Sequence, residues 1–193
     1  MTTGQKLPAR ERLLSAAEEV FFHRGIRATG VDELLRAANV SAASLYSHFG
    51  SKDGLVAEAL RVRLAEWQSV WDECAAKAGS DLDRLLSVFD ALDAFRDRQP
   101  AARWCAFLAT ATELPDAGEE IAAVLAADTA LLTDRLRRFA QPLAGEQAAT
   151  LADDVVLAYN GTLAAYLRGY PQSPVEAGRR VAAASAAAYY PGR

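Results

Sequence analysis

The sequence predicts an all-α fold, and three observations support this prediction. Alternating runs of β-branched residues bounded by a two-residue turn are missing, so strand signals are nearly absent. Apolar residues recur instead at spacings of three and four, which is the pattern of an amphipathic helix. Residues that begin and end helices divide the 193 residues into about nine such segments.

The first three segments are short and closely spaced. The first runs from Pro8 to Arg24. The second begins at Thr29–Asp32, a pattern typical of a capping box, and ends at Asn39, which tolerates a left-handed turn. Ser41 can cap the third segment, which extends from Ala42 to about His48.

Six further segments follow, and Ser, Gly and Pro residues mark most of their ends. The fourth starts at Ser51 and the fifth at Ser80. Pro115 begins the seventh and Gln141-Pro142 ends it, with Arg135, Arg137 and Arg138 expected at its solvated C-terminal end. The sixth, eighth and ninth are predicted over residues 100–114, 146–168 and 173–190, the last opening with an N-cap serine and an N1 proline.

Charge and composition limit the function classes. The chain has 21 Lys+Arg and 25 Asp+Glu, a net charge of −4, so any contact with nucleic acid must be local. Every apolar stretch is far shorter than the roughly 20 residues that span a bilayer, and Met1–Arg12 lacks the apolar region of a secretory signal. We therefore expect a cytoplasmic protein with no membrane partner. The two cysteines and two histidines are scattered, which predicts no metal site.

Residues 30 to 49 place two short helices around a tight turn, in the order that a helix-turn-helix requires. The second helix is the candidate reading helix, because its exposed positions carry small or hydrogen-bonding side chains. These positions are Ala42, Ala43, Ser44, Tyr46, Ser47 and His48. A tyrosine ring can contact a thymine methyl, and hydroxyl groups can reach phosphate oxygens. The free amides at the helix starts Thr29, Ser41 and Ser51 also favour anions. On spacing alone, a small helical bundle with two capped, solvated helices explains these residues equally well.

Four motifs resemble the TetR family of bacterial transcriptional regulators. They are Arg12-Leu13-Leu14-x-Ala16-Ala17, Phe21-Phe22-x-x-Gly25, Thr29-x-Val31 and Val40-Ser41-x-x-x-Leu45-Tyr46-x-His48-Phe49-x-Ser51-Lys52. The resemblance implies a three-helix DNA-binding domain over residues 1–51 and a six-helix effector-binding and dimerisation domain over 52–193. It also implies DNA contacts from Thr29, Ser44, Tyr46, His48 and Lys52, with Lys52 facing a phosphate.

Aromatic residues in the C-terminal part are candidates for an effector pocket. They are Trp67, Trp71, Phe89, Trp104, Phe107 and Tyr159, with Thr110 and Asn160 as polar groups. Aromatics at helical spacing are more often ordinary core, so this alternative stays open. A buried Asn160 needs a hydrogen-bond partner, which is more often a neighbouring backbone carbonyl than an effector.

A second, weaker resemblance lies farther along the chain. Arg103–Leu108 followed by Glu113-Leu114 is similar to a stretch in one group of these regulators. In that group the C-terminal domain binds a small molecule and dimerises through the last two helices, here 146–168 and 173–190.

The leading hypothesis is a homodimeric, ligand-responsive repressor that a small-molecule effector releases from a palindromic double-stranded DNA operator. The alternatives are an all-helical enzyme and an effector-independent helical interaction module. The enzyme lacks candidates, because no G-x-S-x-G elbow occurs and the adjacent Asp153 and Asp154 point about 100° apart on a helix. We therefore expect no catalytic residue and no cofactor.

Overall fold

The computed structural model describes residues 7–98 and 105–189, and these residues form α-helices without any β-strand. The helices of this part of the chain are α1 (Ala9–Arg24), α2 (Val31–Ala38), α3 (Ala42–Phe49), α4 (Lys52–Ala76), α5 (Asp81–Arg98), α6 (Ala106–Glu113), α7 (Glu119–Ala144), α8 (Ala148–Arg168) and α9 (Pro174–Ala188). A 3₁₀ turn, Gly145–Gln147, precedes α8. The all-α prediction is confirmed. Trp104 and the predicted start of the sixth helix lie outside the described residues.

Three serines begin helices as the sequence predicts. Each accepts a hydrogen bond from the backbone amide three residues later, at 3.3 Å for Ser41, 2.9 Å for Ser51 and 3.0 Å for Ser80. Asn39 ends α2 in the left-handed conformation, with φ 51° and ψ 54°. These helix ends depend on local chemistry, which explains why the sequence predicts them well.

Two helix starts differ from the prediction. The capping box at Thr29–Asp32 is wrong, because Gly30 occupies the N-cap position and has no side chain to offer. The Thr29 hydroxyl instead donates to the carbonyl of Gly25 at 2.8 Å. Ser173 does occupy the N-cap of α9, with Pro174 following it, but within the described residues its hydroxyl makes no capping bond.

The end of α7 also differs from the prediction. The helix includes Pro142 and continues to Ala144. Proline lacks an amide proton, so Pro142 costs one intrahelical hydrogen bond, but its fixed φ is compatible with helical backbone. A proline this close to the end of a helix therefore does not have to stop it.

Packing divides the described residues into two compact units. One contains the residues up to Arg63 together with Ala106–Leu125. The other contains the described residues from Leu64 to Cys105 and those from Ala126 onward. These bounds follow compactness and are not those of the predicted domains 1–51 and 52–193, which stay a prediction.

The second unit has its core where α9 packs against α5 and α8. Gly178 of α9 makes this packing close, because a Cβ atom there would lie 1.9 Å from Oγ1 of Thr162 and 2.9 Å from Cε1 of Phe89. Only a glycine fits at this crossing. No helix in residues 7–98 and 105–189 is both long and apolar enough to cross a lipid bilayer.

Candidate nucleic-acid interface

The first unit contains the predicted pair of helices, α2 and α3, with the turn at Asn39-Val40 between them. The amide of Val40 donates to the carbonyl of Leu35 at 3.1 Å and closes the end of α2. The guanidinium of Arg12, on α1, donates to the carbonyl of Ala38 at 3.1 Å and also to that of Asn39. A cation at the C-terminus of a helix is favoured by the helix dipole. Arg12 therefore fixes the turn that sets the direction of α3.

Helix α3 presents a polar face to solvent and an apolar residue to the core. Leu45 is fully buried, whereas Tyr46 is 55% exposed. Exposed side chains surround Tyr46 on this face: Ser41, Ala42, Ala43, Ser47 and His48. Ser44 is half-buried, and its hydroxyl lies 3.1 Å from that of Ser41. The predicted reading positions are thus brought together on one accessible surface, and their DNA contacts stay a prediction.

Lys52, the first residue of α4, is half-buried. Its ammonium donates to the backbone carbonyls of Ile26, at 2.5 Å, and Thr29, at 2.6 Å. Burial lowers the pKa of Lys52, while the carboxylates of Asp53 and Glu113 oppose that shift. An ammonium has three protons to donate, so one remains for a phosphate oxygen after these two bonds.

Thr29 is oriented differently from the other predicted DNA contacts. The whole residue is 1% exposed, and its hydroxyl donates to the carbonyl of Gly25. The side chain therefore faces the protein interior, and a DNA contact of Thr29 stays a prediction.

Sequence reasoning assigned no role to two residues that the structure brings to this region. Arg12 holds the turn, although its only sequence signal is its place in the first motif. Glu113, 86 residues beyond Arg27, accepts a hydrogen bond from the Arg27 amide at 3.0 Å. Nothing near Arg27 in the sequence indicates this partner, because the contact exists only in the folded unit.

Four of the predicted effector residues come together in the second unit. The Trp67 ring centroid lies 5.6 Å from that of Trp71 and 6.1 Å from that of Tyr159, and Phe89 lies 6.5 Å from Tyr159. All four side chains are buried, and Asn160 is half-buried. Phe95 joins this aromatic cluster, 5.6 Å from Trp67.

The remaining predicted effector residues lie elsewhere. Phe107 and Thr110 belong to the first unit, where the Thr110 hydroxyl donates to the carbonyl of Ala106 at 2.8 Å. Trp104 lies outside the described residues. An effector role for any of these residues stays a prediction.

Charged groups border the aromatic cluster. Arg135 is not at a solvated helix end as the sequence suggested, because it is 6% exposed and its guanidinium carbon lies 4.7 Å from the Trp71 ring centroid. It is paired with Asp72 at 2.8 Å. Burial raises the pKa of Asp128 to about 7, and burial also raises that of Tyr159, with smaller contributions from Cys105 and Asp128. Within the described ranges, no group of three or more His, Cys, Asp or Glu side chains is arranged to hold a metal ion.

Comparisons with known proteins agree with this geometry. The sequence profile described as "Bacterial regulatory proteins, tetR family" matches residues 13–59, which contain α2 and α3. The HTH-type transcriptional repressor KstR2 of Mycolicibacterium smegmatis is 34% identical over 88 residues. Those residues are 46% of this chain and 43% of that protein, so the chain spans less than half the length of this curated relative.

Solved structures match nearly the whole chain. A TetR-family transcriptional regulator from Streptomyces coelicolor has a TM-score of 0.85 at 23% identity, covering 94% of this chain and 95% of that one. A protein from Streptomyces avermitilis assigned to the TetR regulators has a TM-score of 0.76 at 29% identity, covering 93% and 98%. Both of these proteins, like KstR2, are described as transcriptional regulators. Residues 13–59 therefore match the tetR family of bacterial regulatory proteins, and the described part of the chain shares its fold with structures assigned to that family.

Proposed function

We propose that this protein is a homodimeric transcriptional repressor that binds a palindromic DNA operator and releases it when a small-molecule effector binds. The observation that carries the proposal is the exposed polar face of α3, centred on Tyr46. Arg12 binds the turn that precedes α3, and Lys52 binds the segment that precedes α2. Small and hydroxyl side chains allow a helix to approach base edges and phosphates closely. A protein with this activity works in the cytoplasm, where its operator is.

The homodimer is supported by the outer faces of α8 and α9, the last two helices. Leu157 is 70% exposed on α8, and Val181 is 61% exposed on α9. The exposed neighbours of Leu157 one and two turns along α8 are Gly161 and Ala164, which leave room for another helix to approach. Exposed apolar side chains beside small residues suit a self-complementary interface with a second copy of the chain. In such a dimer, two copies of α3 enter successive major grooves about 34–36 Å apart.

Effector binding is supported by the aromatic cluster of the second unit. Indole and phenol rings supply the apolar walls of a small-molecule site, and Tyr159 and Asn160 supply polar groups near them. An effector that favours a DNA-incompetent state by about 1–3 kcal/mol lowers operator affinity roughly 5- to 150-fold. Native mass spectrometry of the purified protein tests for a co-purified effector, and a mass that disappears on denaturation supports the proposal.

Duplex selection tests the DNA-binding proposal. The full chain is used to select duplexes from a random pool, and fluorescence anisotropy then compares the selected duplex with a scrambled one. We expect the selected duplex to bind at least about 10³-fold more tightly and with a steep salt dependence. Tyr46→Ala should weaken that complex about tenfold. Tyr170→Ala, a matched change at a residue 77% exposed in the second unit, should not. Equal affinity for selected and scrambled duplexes would overturn the proposal.

A further inference from the structure

The segment Gly25–Thr29, which joins α1 to α2, is held by charged groups of opposite sign within the first unit. The amide of Arg27 donates to Oε2 of Glu113, on α6, at 3.0 Å. The ammonium of Lys52 donates to two carbonyls of the same segment, at 2.5 and 2.6 Å. The carboxylate therefore binds an amide of this segment, and the ammonium binds its carbonyls.

Gly25 allows the carboxylate of Glu113 to approach this closely. Its φ of +102° is in the region that side chains disfavour, and a Cβ atom there would lie 3.1 Å from Oε1 and 3.2 Å from Oε2 of Glu113. The amide of Gly25 also closes α1 by donating to the carbonyl of Phe21 at 2.9 Å. Gly25 therefore both ends α1 and lies against the carboxylate of Glu113.

The segment leads directly into the reading helices. Thr29 is followed by Gly30, the N-cap of α2, and Lys52 begins α4 immediately after α3. The negative charge of Glu113 also acts on the Lys52 ammonium, which it stabilises. Moving the carboxylate would therefore act both on the segment that precedes α2 and on the Lys52 ammonium.

A carboxylate near a phosphate-binding group opposes DNA binding by its charge alone. The hydrogen bond that Glu113 accepts from the Arg27 amide favours DNA binding instead, because it holds the segment before α2 in place. Such a bond, between a charged group and a backbone amide, is stronger than one between neutral groups. We propose that Glu113 is a positioning residue for DNA binding, which acts by fixing Gly25–Thr29 and the Lys52 ammonium bonded to that segment. This inference rests on the proposed function.

Three variants test the inference in the full chain. Glu113→Ala removes the acceptor and the charge, and Glu113→Gln keeps an oxygen acceptor without the charge. Glu120→Ala is the matched control, because Glu120 is an exposed carboxylate at the start of α7 in the same unit. The measurements are affinity for the selected duplex and a random duplex, hydrogen exchange of the Arg27 amide without DNA, and thermal unfolding, which identifies any variant that fails to fold.

We expect Glu113→Ala to weaken binding of the selected duplex about tenfold relative to Glu120→Ala. Binding of the random duplex should fall as well, because the phosphate contact predicted for Lys52 does not depend on sequence. Exchange of the Arg27 amide should accelerate about tenfold or more. Glu113→Gln should recover most of both properties, because its oxygen still accepts the amide proton.

Two results would overturn the inference alone. One is an Arg27 amide that exchanges at the wild-type rate in Glu113→Ala. The other is an accelerated Arg27 amide with a selected-duplex affinity within about twofold of Glu120→Ala, which is below the effect of one hydrogen bond to a charged group. A wild-type protein that does not distinguish selected from scrambled duplexes would instead overturn the proposed function, and this inference with it.

Discussion

The ammonium of Lys52 and the backbone carbonyl of Thr29 are joined by a hydrogen bond of 2.6 Å. Both residues are predicted DNA contacts, yet the structure bonds them to each other. Lys52 begins α4 and Thr29 precedes α2, so the bond connects helices that are separate in sequence. Lys52 therefore stabilises the segment before α2 and also carries the positive charge that is predicted to face a phosphate. Its effects on folding and on DNA binding should therefore appear together.

Lys52→Ala should change stability and DNA binding, whereas Tyr46→Ala should change DNA binding alone. Loss of the ammonium leaves two partly buried carbonyls without their donor, which should lower the free energy of unfolding by about 1–2 kcal/mol. Tyr46 is 55% exposed, so its truncation should change that free energy by less than about 0.5 kcal/mol. Urea unfolding followed by circular dichroism measures the free energy of unfolding, and fluorescence anisotropy measures affinity for the selected duplex. A Lys52→Ala protein as stable as wild type would show that these bonds add nothing to folding.

Gly178→Ala should destabilise the second unit. The added Cβ would meet Thr162 Oγ1 at 1.9 Å and Phe89 Cε1 at 2.9 Å, and overpacking of this kind costs about 1–3 kcal/mol. Thr162→Ala in the same chain removes the nearer atom, so the double variant should lose less stability than the two single variants added together. Gly118→Ala is the control, because among the described residues nothing lies within 4 Å of a Cβ placed there. Additive losses in urea unfolding would argue against the close α8–α9 contact.

Leu157→Glu and Val181→Glu should each shift the protein from dimer to monomer. Both side chains are largely exposed in the single chain, at 70% and 61%, and a carboxylate buried in an apolar interface would carry a large desolvation cost. Leu82→Glu is the control, since Leu82 is 37% exposed on α5 rather than on the last two helices. Sedimentation velocity reports the oligomeric state directly. Variants that remain dimeric would exclude this face as the interface.

Asp128→Asn should stabilise the protein at neutral pH and have less effect in acid. The pKa of Asp128 is raised from 3.8 to about 7 in the folded chain. Between these values the unfolded chain releases the proton while the folded chain keeps it, so stability present below pH 3.8 is lost as the pH rises towards 7. The full difference corresponds to an upper bound of about 4 kcal/mol.

Unfolding of wild type and Asp128→Asn by urea at several pH values measures this difference. Asp116→Asn, at an exposed position, is the matched control for the substitution itself. A stability difference between Asp128→Asn and wild type that is the same at pH 4 and pH 7 would show that Asp128 titrates alike in the folded and unfolded chains.

The sequence predicted the aromatic cluster only in part. Helical spacing placed Trp67, Trp71, Phe89 and Tyr159 on inward faces, and these four rings do meet. A different argument predicted a solvated position for Arg135, because a run of arginines near a helix end usually faces water. Burial of Arg135 depends on Trp71 and Asp72, which belong to another helix. Periodicity gives the direction of a side chain but not its partner.

The sequence by itself determined the helices, most of their ends and the resemblance of the N-terminal residues to the tetR family. Capping serines, the left-handed Asn39 and the apolar spacing of three and four act within a few residues, so they can be read without the fold. Only the tertiary structure decided that Lys52 binds the carbonyl of Thr29 and that Glu113 binds the amide of Arg27. These groups are 23 and 86 residues apart, and backbone amides and carbonyls are the same at every position, so no residue pattern marks which of them a distant charge will reach.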